Sequence, residues 1–181
     1  MRAMRSATDT ASTTPPRDRV GLANLAAVLA PGAVFALLLA TTGVRPGLEW
    51  LHPLDLAAAP TELWFIALFG GAATVCGLLD WRYHRAGHRV VPRAEQRAEC
   101  VALVGGGVPL FVLMCGASVA TAPRPWLLGA VAVALFTAGA IVFDETRFHR
   151  RCSRYETLLH RGLVGGNGLA WLAWLSWCLE R

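Results

Sequence analysis

Apolar residues in this chain fall into long blocks separated by short polar stretches, and the blocks show no two-residue alternation. A helix needs about 20 apolar residues to cross ~30 Å of hydrocarbon. Five blocks approach that length: Val20 to Thr42, Leu63 to Asp80, Cys100 to Thr121, Trp126 to Phe143 and Gly162 to Leu179. The pattern predicts an all-α integral membrane protein with five transmembrane helices in a single domain over residues 20–181. Residues 1–19 form a Ser/Thr/Pro/Arg tail with no periodicity and little apolar bulk, which predicts a disordered cytoplasmic segment. The first block exceeds the ~7–15-residue apolar core of a signal peptide, so it reads as an uncleaved first helix.

Composition agrees with this pattern. Hydrophobic residues make up 55% of the chain and charged residues 16%, against about 25% charge in soluble domains. A disordered chain, a collagen-like chain and a soluble basic nucleic-acid binder are all excluded. The seventeen basic residues are all arginine, and their placement sets an orientation. With the N-terminus inside, fourteen lie on the inner side, in the tail and in the connections 80–99 and 144–161. Only Arg45, Arg124 and Arg181 lie outside. This bias predicts a protein of the cytoplasmic (inner) membrane, its N-terminus cytoplasmic and its C-terminus outside. Arginines beside a membrane serve orientation and anionic-lipid contact, so the net charge of +5 needs no nucleic-acid partner. The five cysteines show no CxxC spacing and read as reduced.

The two inner connections hold four of the five histidines and six of the twelve acids. They also share a layout. Asp80-Trp-Arg-Tyr-His84 leaves the second block and Glu95-Gln-Arg-Ala-Glu99 enters the third. Glu145-Thr-Arg-Phe-His149 leaves the fourth and Glu156-Thr-Leu-Leu-His160 enters the fifth. A Leu-Val-Gly-Gly run follows each, at Leu103–Gly106 and Leu163–Gly166. We read an internal repeat, in which spans two to five form a four-helix bundle of two repeated hairpins.

Residues four apart on a helix share one face. Asp80 with His84, Glu145 with His149 and Glu156 with His160 can therefore each aim at one centre, where four helix ends meet. Imidazole and carboxylate donors together suit iron, manganese or zinc. The expected metal ligands are Asp80, His84, His88, Glu99, Glu145, His149, Glu156 and His160. Glu156 has a competing role, since Ser153-Arg-Tyr-Glu156 is a capping box. Glu95 suits the first turn of a helix beginning after Pro92, and Glu99, deeper in the chain, is the better ligand or general base. Asp144 points about 100° away from Glu145 and is expected to meet an arginine. Asn167, in Gly165-Gly-Asn-Gly168, is expected to be buried in the fifth span, as a substrate contact or as interhelical glue. Glu99 and Asn167 are the candidate catalytic residues. Trp171, Trp174 and Trp177 read as packing and an interfacial belt.

At His84-Arg-Ala-Gly-His88 and the two acid-x-x-x-His segments, the chain resembles the integral-membrane histidine-motif di-iron oxygenases, the hydroxylases and desaturases. The resemblance covers the two inner connections. That family carries about eight histidines with His-His doublets, whereas this chain has four candidates and no doublet, so carboxylates must complete any dimetal set. The resemblance implies two irons, a lipid or other apolar substrate entering between the Gly-rich helices, and a separate electron donor. A zinc-dependent membrane hydrolase would use the same residues. So would a non-enzymatic haem- or metal-binding protein, with His84 and His149 as axial ligands. The sequence leaves the oligomeric state open.

Overall fold

The computed structural model describes residues 19–43, 47–51, 54–87, 92–149 and 152–181. Five long helices account for most of them: α1 (Arg19–Thr41), α2 (Thr61–Arg85), α3 (Arg93–Val119), α4 (Arg124–Arg147) and α5 (Arg154–Glu180). No strand is formed among the described residues; an isolated antiparallel bridge joins Leu51 and Leu54. The protein is all-helical. Among the described residues three helices, α2, α3 and α4, are long and apolar enough to cross a membrane. α1 is 23 residues long, with an apolar stretch over Leu29–Thr41, and in α5 the apolar run is diluted by Gly165-Gly-Asn-Gly168 and three tryptophans. The expected tail up to residue 18 lies outside the described residues.

The helices are longer than the apolar blocks, and the excess is at one end. α2 continues five residues past Asp80 and α4 four past Phe143, while α3 starts seven residues before Cys100 and α5 eight before Gly162. The polar connections are thus largely helical, which places their acids and histidines on rigid extensions of the bundle. Local sequence sets these ends. Gly87 adopts φ 77°, the left-handed conformation that closes α2, and its N–H donates to the His84 carbonyl at 3.0 Å. Pro92 precedes the first turn of α3, with Glu95 in that turn. Ser153 caps α5 by accepting from the Glu156 N–H at 3.1 Å.

Within α3, Val101–Gly107 forms a π-helical segment directly after the turn that carries Glu99. Its cause is local. Pro109 has no N–H to give to the preceding turn, and Gly105-Gly-Gly107 lets the backbone widen with little resistance.

The helices pair as α2 with α5 and as α3 with α4, while α1 rests on α2 and α3. Helices that follow one another through the polar connections, α2 with α3 and α4 with α5, touch far less. The α2–α5 contact is close because small residues line it. A Cβ on Gly166 would lie 2.8 Å from the Phe69 carbonyl and 3.0 Å from the Ala73 Cβ, and one on Gly162 would meet Cys76. Gly162 and Gly166 are a GxxxG pair aimed at α2. The α2–α5 seam is therefore closed by packing.

The apolar core gathers at one end: Leu39, Leu48, Ala117, Leu127, Ala130, Trp174, Trp177 and Cys178. Trp174 is fully buried and its Nε1–H donates to Ser118 Oγ at 2.9 Å. Ser118 in turn donates to the Met114 carbonyl at 2.7 Å. Trp174 and Trp177 are core residues, and Trp171 packs against them. His84, His149 and His160, with Asp80, Glu95, Glu99, Asp144, Glu145 and Glu156, occupy the opposite end.

Candidate metal centre

The polar end draws residues from α2, the start of α3, the end of α4 and the start of α5. His84 Nε2 lies 3.6 Å from Asp80 Oδ1, one turn back on α2, and 3.4 Å from Glu156 Oε1 on α5. His149 sits just past the end of α4. Its Nε2 lies 3.7 Å from Glu95 Oε1 on α3, and its Nδ1 lies 3.3 Å from Asp144 Oδ2. His160 Nε2, on α5, is 3.2 Å from Glu145 Oε1, and its ring stacks on His149 with centroids 4.3 Å apart and planes inclined by 24°. Glu95, Asp144, His149 and Glu156 are buried, all under 9% exposed.

These contacts are short without being good hydrogen bonds. His149 Nδ1 and His160 Nε2 are buried and accept or donate no hydrogen bond, although a carboxylate oxygen lies about 3.2–3.3 Å from each. Buried polar atoms are rarely left in that state. Donor atoms directed at one ion behave this way, because they point at the ion and not at each other. Two donors held at ~2.1 Å from one metal, with tetrahedral or octahedral angles, stand roughly 3.0–3.4 Å apart. The pairs here, at 3.2–3.7 Å, lie in or just beyond that range. Two trios have donor atoms all within 4.8 Å of one another: Asp144, His149 and His160, and Glu95, Glu99 and His149. The residues present fit a bound cation.

Electrostatics point the same way. Glu99 stands on the polar turn of α3 before the apolar block. Burial pushes its carboxyl up to about 7, with further upward pushes from Asp144, Glu95 and Asp80 that His149 only partly offsets. Carboxylates so crowded resist ionising until a positive charge joins them. His160, before the apolar block of α5, is lowered below the ordinary imidazole range, by burial first and then by His149. It is held neutral, the form that ligates metal.

The structure therefore brings together Asp80, His84, Glu99, Glu145, His149, Glu156 and His160. His88 lies outside the described residues. Two residues ranked low from the sequence belong to the cluster. Asp144, expected to meet an arginine, faces His149, because the chain leaves the α-helix at Phe148 and swings the histidine back. Glu95, expected to serve its helix end, is 1% exposed and faces the same imidazole. Its Pro92-Arg-Ala-Glu95 setting gave a complete local explanation, and nothing local marked it as buried. Asn167, expected to be buried, is exposed on the face of α5 turned away from α2 and stands apart from the cluster. Glu156 donates its backbone N–H to the Ser153 cap, and its carboxylate faces His84.

No family model matches this chain, and no curated protein or solved structure matches it either.

Proposed function

We propose that this chain is a membrane-embedded metalloenzyme with a dinuclear, iron-preferring centre at the cytoplasmic end of a five-span bundle. In this reading it is an oxygenase of the hydroxylase or desaturase type, acting on a lipid or other apolar substrate with electrons from a separate donor. One observation carries the dinuclear reading: the two histidines of the repeated motif make crossed contacts of the same kind. His84 reaches Glu156 and His149 reaches Glu95. In the sequence repeat His84 corresponds to His149, and Glu156 to Glu95. Each half of the repeat thus completes its donor set with a carboxylate from the other half, which is how a bundle with approximate two-fold symmetry would hold two ions.

The donor set favours hard metals. Six carboxylates (Asp80, Glu95, Glu99, Asp144, Glu145, Glu156) accompany three described histidines, and carboxylate-rich sites on bundle helices suit iron or manganese. His84 and Glu156, with Asp80, would hold one ion. His149, Glu95 and Glu99 would hold the other, with Asp144 on the Nδ1 side of the His149 ring and with Glu145 and His160 beside it. Two bound irons supply dioxygen activation. The chain's own contribution is to hold His160 neutral, to keep Glu99 able to carry a proton near neutrality, and to exclude water from the buried carboxylates. Axial haem ligation fits less well, because both His84 Nε2 and His149 Nε2 face carboxylates at 3.4–3.7 Å and His149 is stacked on His160.

A hydrolytic reading has its own support. Asp144, His149 and His160 form a three-donor set of the kind that catalytic zinc uses with one position open, and Glu99 would be the base. Metal analysis with a visible spectrum on purified protein separates these readings. Two irons per chain without a Soret band are expected. One zinc per chain establishes the hydrolase reading in its place, a Soret band establishes haem, and folded protein that binds no metal refutes all three.

A further inference from the structure

Beside the cluster, but outside it, a groove of about 320 Å³ opens between the last turns of α2 and the first turn of α5, lined by Leu79, Arg82, Tyr83, Ala86 and Tyr155. Its wall is in contact with the proposed centre. The Tyr83 ring meets the His84 ring edge-on, with centroids 5.8 Å apart, and leans on Tyr155 at 5.6 Å. The Tyr83 hydroxyl sits 3.2 Å from Ser153 Oγ. Arg82 is exposed at the rim and forms no ion pair among the described residues, although acids are abundant nearby.

The groove continues into the apolar surface of α2. Leu79 lies three residues before Arg82, Val75 four before Leu79, and Leu68 seven before Val75, so all four share one helix face. Val75 is 55% exposed and Leu68 62%. A cation at the polar end of an open apolar stripe, flanked by two phenols, complements a ligand with an anionic head and a hydrocarbon chain.

We propose that this groove binds an anionic amphiphile, its carboxylate or phosphate head on Arg82 and its chain along Leu79, Val75 and Leu68. This rests on the metalloenzyme reading and names its substrate class: an acyl or alkyl chain with an acidic head, presented beside His84 from the membrane side. The site is one-sided. In the sequence repeat the counterparts of Arg82, Tyr83 and Tyr155 are Arg147, Phe148 and Ala94, so the second half keeps the arginine and lacks both phenols. Arg147 is exposed like Arg82, which makes it a matched control for arginine charge alone.

The test is calorimetric titration of the full chain, purified in a neutral detergent, with laurate, dodecyl phosphate and inorganic phosphate. Laurate and dodecyl phosphate are expected to bind at one per chain. R82Q weakens binding about tenfold, the loss of one charge-assisted contact, while R147Q changes it by less than about twofold. Tyr155→Phe, which keeps the ring, weakens it by a smaller factor than R82Q. Equal losses in R82Q and R147Q overturn the proposal, since surface charge alone would explain them. Inorganic phosphate binding as tightly as dodecyl phosphate also overturns it, since the chain would then contribute nothing. Metal content measured on the same samples separates this proposal from the one beneath it. Wild-type protein without metal that keeps R82Q-sensitive binding refutes the metal reading alone. Metal-loaded protein that binds neither amphiphile refutes the groove alone.

Discussion

Replacing Gly166 with alanine tests the link between helix packing and the metal centre. The added Cβ would stand 2.8 Å from the Phe69 carbonyl oxygen, whereas ordinary contacts begin near 3.4 Å. α5 and α2 must therefore part by about 0.6 Å at this level, since the obstacle is backbone and cannot rotate away. Overpacking of this kind costs typically ~1–3 kcal/mol. The effect should reach the site, because the same two helices carry His84 and Glu156. An equal shift there would open their 3.4 Å separation to about 4 Å, near the limit at which two donors bonded at ~2.1 Å can share an ion. The neighbouring Gly165 has nothing within 4 Å of its Cβ position, so G165A is the control. It should be neutral or stabilising by up to ~1 kcal/mol, the ordinary helix gain of alanine over glycine. Thermal unfolding in one detergent, with metal content before and after dialysis, reads both effects. G166A should unfold earlier and lose metal about tenfold more readily, and G165A should do neither. Equal behaviour of the two variants would refute the close α2–α5 contact and its coupling to the cluster.

Further outcomes follow from the same geometry. H149A should remove most of the bound metal, because His149 belongs to both donor trios, and H84A should reduce it sharply too; plasma emission spectrometry on purified variants decides this, and retention of full metal by both would sink the repeat reading. In metal-free protein the raised Glu99 carboxyl sets the sign of a pH effect. Its folded value of about 7 exceeds the ordinary 4.5, so the folded state binds more protons across that window and stability falls as pH rises through it. E99Q should flatten that fall, as measured by thermal unfolding at pH 5 and pH 7.5. S118A leaves the buried Trp174 indole N–H without its acceptor and should cost about 1–3 kcal/mol in an unfolding titration, with metal content unchanged.

Much of the fold could be read from residue order, because long apolar blocks admit few alternatives to helices. The acid-x-x-x-His spacing was equally legible, and it pointed to the right end of each helix. Partner choice was not. The close pairing of α2 with α5 depends on Gly162 and Gly166 facing Ala73 and Cys76, which no local pattern links across the intervening chain. Asp144 was not read as part of the cluster because helical geometry separates it from Glu145 by about 100°, whereas the chain after Phe148 departs from that geometry and returns His149 to it. Asn167 failed for a related reason. The glycines around it divide between two faces, with Gly162 and Gly166 meeting α2 and Gly165 and Gly168 facing open space, so glycine density alone did not say which face was buried.

The pairing of α2 with α5 has a consequence for biosynthesis. About 70 residues separate the end of α2 from the start of α5, so α2 leaves the ribosome long before the helix it fits exists. During that interval Asp80 and His84 lack Glu156, and Glu95 lacks His149 until α4 is complete. Pairings so distant along the chain form late. The cluster can therefore be completed only after the last helix has been made, and a ribosome stalled before α5 would leave Glu145 without His160 and His84 without Glu156. If the cluster holds metal as proposed, loading would follow completion of α5 and would report whether the final helix has found its place.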